Sequence, residues 1–161
     1  MKTRMKKLIS IKSIPILALA LLVVLGSALA AGRDPVSGSG EVFLGTTLTG
    51  PVSLVIGGKE WDGQIEVITL GKVVELESGV THYYGVVHKF KDSSENNTFT
   101  TIGDEISAPT GDELVYTLGG YMEITEGTGM FERAEGRLSV RGEFNLYTFS
   151  VPFKVNGAMS L

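Results

Sequence analysis

The side chains able to do chemistry are few in this chain: two histidines, His82 and His88, 18 carboxylates and no cysteine. Without cysteine there is no thiol nucleophile, no cysteine zinc site and no disulfide. In "THYYGVVHKF" the histidines stand six residues apart on one face of a strand. At about 3.3 Å per residue that is roughly 20 Å, so they cannot ligate one metal together. A carboxylate placed beside His88, with Asp104 as a candidate, would form an acid–base pair able to move a proton. Otherwise each histidine is simply a polar strand residue. Asp104-Glu105 and Asp112-Glu113 read as solubilising charge, because adjacent strand residues point to opposite faces and turns face water. Neither a Ser-His-Asp order nor a G-x-S-x-G elbow is present.

Two further stretches imitate ligand sites. "DSSENNTFTTIGD" begins with the oxygen spacing of a calcium loop at Asp92, Ser94 and Asn96. It then places Asn97 where glycine is required and Gly103 where a bidentate glutamate belongs, and so reads as a hairpin loop. Asn96-Asn97-Thr98 is formally a glycosylation sequon. "GTGMFERAEG", Gly127 to Gly136, resembles a phosphate-cradling loop but lacks the third glycine of that fingerprint. It also carries Glu126, Glu132 and Glu135 around it and leads into a strand rather than a helix. It reads instead as a corner between strands, with Gly127 and Gly129 allowing positive φ, Phe131 plugging the connection and Ala134 permitting close backbone approach. Trp61 in "GGKEWDG" reads as a core plug.

The elements that must position these residues are short strands. Runs near Val42–Leu48, Val52–Ile56, Gln64–Leu70, Val73–Glu77, Thr81–Lys91, Phe99–Ile106, Leu114–Thr125, Gly136–Phe144 and Tyr147–Val155 are separated by Gly, Pro, Asn and Asp punctuation. Past Leu25 no segment holds an apolar helical period. Alternation places Tyr84, Val86 and His88 on one face, then Tyr116, Leu118 and Met122, then Phe149, Val151 and Phe153. Pro152 cannot donate to a ladder and marks an edge or a bulge. Glycines inside strands, such as Gly63, Gly85, Gly119, Gly120 and Gly142, favour a tightly coiled barrel over a sandwich.

The N-terminus reads as a secretory signal. Lys2, Arg4, Lys6, Lys7 and Lys12 precede the apolar run Ile14 to Leu25, and Ser27-Ala28-Leu29-Ala30-Ala31 offers cleavage after Ala30. The expected organisation is a signal peptide over 1–30, a flexible lead-in over 31–40 ("AGRDPVSGSG") and one β domain over 41–161, in a secreted or periplasmic protein with no stable membrane span after cleavage. Residues 1–30 hold five of the 14 basic residues and none of the 18 acidic ones, so the remainder has a net charge of −9. Such an acidic surface gives nucleic-acid binding no electrostatic footing.

"HKFKDSSENNTFTTIGDEISAPTG" and "GGYMEITEGTGMFERAEGRLSVRGEF" together resemble a segment of small secreted bacterial β-proteins related to the allene oxide cyclase-like and dirigent-like barrels. The likeness spans roughly residues 88 to 145, and the chain departs from the pattern at Glu126, Met130 and Arg133. The resemblance implies an all-β fold, a single antiparallel barrel of about eight strands with an apolar interior. It implies binding of a hydrophobic molecule there, and for relatives of that fold a cyclisation or coupling; no catalytic residue is carried over. The expected function is therefore binding of a small hydrophobic ligand inside the barrel, lined by Tyr84, Val86, His88, Tyr116, Leu118, Met122, Phe149 and Phe153. The alternatives are a cyclase or isomerase using His88 and a carboxylate in the same cavity, and a structural or adhesive surface module with a filled barrel. No cofactor or metal is expected, and a homo-oligomer through barrel faces is left open.

Overall fold

The computed structural model describes residues 32–161; the expected signal peptide lies outside the described residues. Nine strands make up the described residues: β1 (Asp34–Phe43), β2 (Leu48–Ile56), β3 (Lys59–Thr69), β4 (Lys72–Glu75), β5 (Thr81–Lys91), β6 (Thr98–Pro109), β7 (Val115–Thr128), β8 (Glu135–Asn145) and β9 (Ser150–Ser160). A single 3-10 turn, Gly129–Phe131, joins β7 to β8. Every pairing is antiparallel, in the order β3-β2-β1-β9-β8-β7-β6-β5, and β3 pairs with β5 to close the circle. The result is a closed eight-stranded barrel, the all-β architecture expected from the strand spacing. β4 is not a ninth stave. It follows β3 along β5: β3 covers Val87–Lys91 and β4 covers Thr81–Tyr84.

The local sequence explains the staves. In β2, "GPVSLVI" buries Gly50, Val52, Leu54 and Ile56 and exposes Pro51, Ser53 and Val55, the alternation of a sheet with one dry face. In β9, Val151, Phe153 and Val155 point inward, with Pro152 and Lys154 out. Pro152 has a register partner on β1, Glu41, whereas the β8–β9 ladder lapses between Gly142↔Phe153 and Asn145↔Ser150 with its register unchanged. A lapse of that kind is what a residue without an N–H imposes on a ladder.

The first strand corrects the lead-in. Asp34–Gly40 forms most of β1 and pairs on both sides, Val36 with Ile56 of β2 and with Gly157 of β9. Glycine and serine are there for proximity rather than flexibility: a Cβ on Gly38 would sit 2.2 Å from the Ser53 carbonyl oxygen. Leu44 to Thr47, read as the end of a strand, instead forms the connection to β2.

The barrel has a filled end and a hollow end. At the filled end Phe90 and Phe99 stack with ring centroids 4.4 Å apart, and Phe131 meets Phe99 at 4.9 Å and Trp61 edge-on at 5.7 Å. These rings, with Leu54, Leu138, Val155 and Met159, form the dry core. "GTGMFERAEG" is the corner it was read to be: Phe131 is fully buried, Ala134 is buried, and β8 starts at Glu135. Gly129 takes φ +59°. Gly127, expected to take positive φ as well, does not; it is needed for closeness instead, since a Cβ there would lie 1.9 Å from the Phe131 carbonyl oxygen.

Candidate functional site

At the hollow end lies a cavity of about 320 Å³, bounded by residues from every barrel stave. β1 and its connection contribute Val42 and Leu44, β2 Leu48, β3 Ile65 and Val67, β7 Leu118 and Met122, β8 Val140 and Phe144, and β9 Val151 and Phe153. Leu70, between β3 and β4, also borders it and is 41% exposed, so the cavity reaches the surface there. The walls are aliphatic and aromatic, apart from one polar strip on the adjacent strands β5 and β6: Tyr83, His88, Glu105 and Ser107.

A β-bulge builds that strip. Tyr83 opposes Glu105 and Val86 opposes Gly103, so the register shifts by one residue between them. Gly85 occupies the extra position at φ +72°, a conformation that residues with a Cβ rarely adopt. Its N–H donates to Asp104 Oδ1 at 2.9 Å, which fastens the bulge to the outside of β6. Because of the extra residue the inward set on β5 is Tyr83, Val86, His88 and Phe90, rather than the unbroken series from His82.

The bulge moves three of the residues read from the sequence. Tyr84 faces outward, 44% exposed, and its ring stacks on His82 at 5.8 Å. His82 therefore shares no face with His88, and Tyr83 takes the cavity position instead. Phe149 is also corrected: it is 61% exposed with φ +52°, in the turn between β8 and β9. Asn145 Oδ1 accepts from the N–H groups of Tyr147 and Thr148, which folds Leu146–Phe149 into that turn and delays β9 until Ser150. Tyr116 is half-buried and packs edge-on against Phe144 without bordering the cavity. Val86 is fully buried but does not border the cavity. His88, Leu118, Met122 and Phe153 border the cavity as expected.

β6 carries the polarity inverted. Thr101, Glu105 and Ser107 are buried on the barrel side, while Ile102 and Ile106 are exposed. Glu105, read as surface charge, points inward and sets its Oε1 3.2 Å from His88 Nε2, with both side chains more than nine-tenths buried. It is Glu105, not Asp104, that supplies the carboxylate beside His88. His88 Nδ1 stands 3.5 Å from the Thr101 hydroxyl, which donates to Met122 Sδ at 3.2 Å. The imidazole thus has a polar neighbour beside each nitrogen. Above it, Tyr83 Oη and Ser107 Oγ are 3.4 Å apart.

The sequence held a signal for these misses. Phe99 is an obvious core residue, and counting by twos from it reaches Thr101, Gly103, Glu105 and Ser107. Gly85, alone inside a regular strand, marked the bulge. Trp61 is buried as a plug, with its indole Nε1 lacking a hydrogen-bond partner among the described residues. No group of three or more His, Asp or Glu side chains able to hold a metal occurs among the described residues. Comparison with protein-family models, with curated proteins and with solved structures finds no match.

Proposed function

We propose that this chain is a binding protein for a small, mainly apolar molecule held in the hollow end of the barrel. The observation that carries the reading is the cavity itself. Its volume, about 320 Å³, falls within the range of roughly 300–1,000 Å³ that small-molecule sites occupy, and its polar groups are confined to one strip. A barrel acting only as a structural module has no need of such a void, since each unfilled volume in a core costs stability. The N-terminal signal pattern supports a setting in the periplasm or outside the cell. The sequence resemblance to secreted barrels of the allene oxide cyclase-like and dirigent-like kind agrees with it.

The buried pair of His88 and Glu105 favours a second reading, an isomerase or cyclase in the same cavity. An imidazole held next to a carboxylate at 3.2 Å, beside a substrate-sized space, has the parts for proton transfer to and from a bound molecule. Binding is common to both readings and is the one to test first.

Native mass spectrometry of the protein purified from its own host, alongside a Leu118→Trp variant that fills the cavity, makes the test. The expected result is a bound apolar compound near one per chain, absent from the variant. A ligand-free mass for both, with no thermal shift from a library of hydrophobic compounds, would sink the proposal and return the barrel to a structural role.

A further inference from the structure

The polar strip says which kind of apolar molecule fits. Tyr83 and Glu105 are direct partners across β5 and β6, and Ser107 follows two residues on along the same inward face. Tyr83 Oη and Ser107 Oγ, 3.4 Å apart, bring two hydroxyl hydrogens and use one of them between themselves. One hydroxyl hydrogen is left over. Among the described residues Glu105 has His88 as its sole partner, through Oε1, which leaves Oε2, an acceptor, to the cavity. The strip therefore offers an occupant one donor and one acceptor, set in an otherwise apolar chamber.

Resting on the reading of the chain as a binder, we propose that the ligand is an uncharged aliphatic molecule carrying a single hydroxyl group. Its O–H donates to Glu105 Oε2, and its oxygen accepts from Tyr83 or Ser107. Other headgroups satisfy the strip less well. A carboxylate brings a second negative charge against Glu105 inside a dry chamber, where like charges repel strongly. A ketone satisfies the hydroxyl but leaves Oε2 without a donor, and an alkane leaves both unmet, each at the cost of a buried unpaired polar group. A protonated amine suits the carboxylate but has no lone pair for the hydroxyl hydrogen. The apolar rest of the molecule lies along Val42, Val67, Leu118 and Phe153 toward the opening at Leu70.

The test is displacement of the neutral dye Nile red from the purified protein by decanol, decanoate and decane, at neutral pH. The proposal expects decanol to displace the dye about tenfold or more tightly than either of the others, the worth of a hydrogen bond to a charged group. In Glu105→Gln the gap between decanol and decanoate narrows, because the like charge is gone. In the double variant Tyr83→Phe with Ser107→Ala, which removes both hydroxyls and leaves the His88–Glu105 contact untouched, the gap between decanol and decane narrows, so the test stands even if the first variant folds poorly. Equal or tighter displacement by decanoate or decane, with the dye clearly bound, would overturn the choice of headgroup alone. Failure of the dye to bind, or binding that survives Leu118→Trp, would overturn the binder reading itself, and this proposal with it.

Discussion

Glu105 Oε1 lies 3.2 Å from His88 Nε2, and the two residues come from strands whose sequences gave each a different expected setting. Between Thr101 and Glu105 on β6 stands Gly103, opposite Val86, and its missing side chain serves the close approach of β7: a Cβ there would lie 2.0 Å from the Tyr121 carbonyl oxygen. Glu105→Ala removes one member of a buried polar pair and leaves the other unsatisfied. It should destabilise the fold by about 1–3 kcal/mol. Pairing it with His88→Leu should cost less than the sum of the single changes, a non-additivity that a double-mutant cycle in urea would read. Simple additivity would mean that the contact contributes nothing.

The bulge at Gly85 yields a sharper expectation. A residue with a Cβ at φ +72° pays about 1–2 kcal/mol in backbone strain, so Gly85→Ala should lower the unfolding free energy by that amount. Deleting Gly85 has a different effect: with the extra residue gone, plain alternation back from Val86 keeps Tyr84 outward and Tyr83 in the cavity. Nitration followed by peptide mapping distinguishes the two tyrosines. Tyr84 should be the more reactive of the two both in the native protein and after the deletion. A reversed pattern would show that the strand slips by one residue instead of simply losing its bulge.

These two sites also mark how far the sequence could be read. Strand number and the Phe131 corner were legible because they rest on alternation and on turn residues, which are local properties, and closure through the glycines inside the strands. The cavity-facing role of Leu118, Met122 and Phe153 was legible for the same reason. Tyr83, Tyr84 and Phe149 were not, because one inserted residue or one side-chain-capped turn reverses the face of everything beyond it. Glu105 was hidden by the ordinary expectation that a carboxylate faces water and isoleucine does not. In β6 that expectation fails on both sides at once, and only the hollow within the barrel, a tertiary feature, explains why a carboxylate can be accommodated there.

The filled end carries much of the stability. Phe131 has no solvent exposure and touches both Trp61 and Phe99 with its ring. Phe131→Ala should cost about 3–5 kcal/mol, the usual range for removing a buried aromatic ring and leaving a void. Because the plug and the cavity lie at opposite ends, any variant that remains folded should still bind Nile red. Loss of dye binding in a folded Phe131→Ala protein would show that the two ends are coupled.

The loop between β5 and β6 gives an acid-range signature. Asn97 Nδ2 donates to Asp92 Oδ2 at 2.6 Å, while the N–H and hydroxyl of Ser94 both donate to Asp92 Oδ1. The Asn97 bond first, and the Ser94 bonds after it, hold the Asp92 carboxyl below its ordinary range. A carboxyl group depressed in the folded state adds stability that is fully present above its unfolded value and is lost as pH falls through the folded one. Asn97 also ties this loop to the corner at the filled end, since its Oδ1 accepts from the Met130 N–H at 2.9 Å. Lowering the pH through the acid range should therefore release the amides of Ser94 and Met130 to hydrogen exchange before the barrel strands open. Asp92→Asn keeps an acceptor but removes the charge, so its loop protection should be weaker at neutral pH and should no longer change on acidification. If protection in the variant still falls with the same pH dependence, another group must be titrating, and Asp92 is not the residue that holds the loop to the corner.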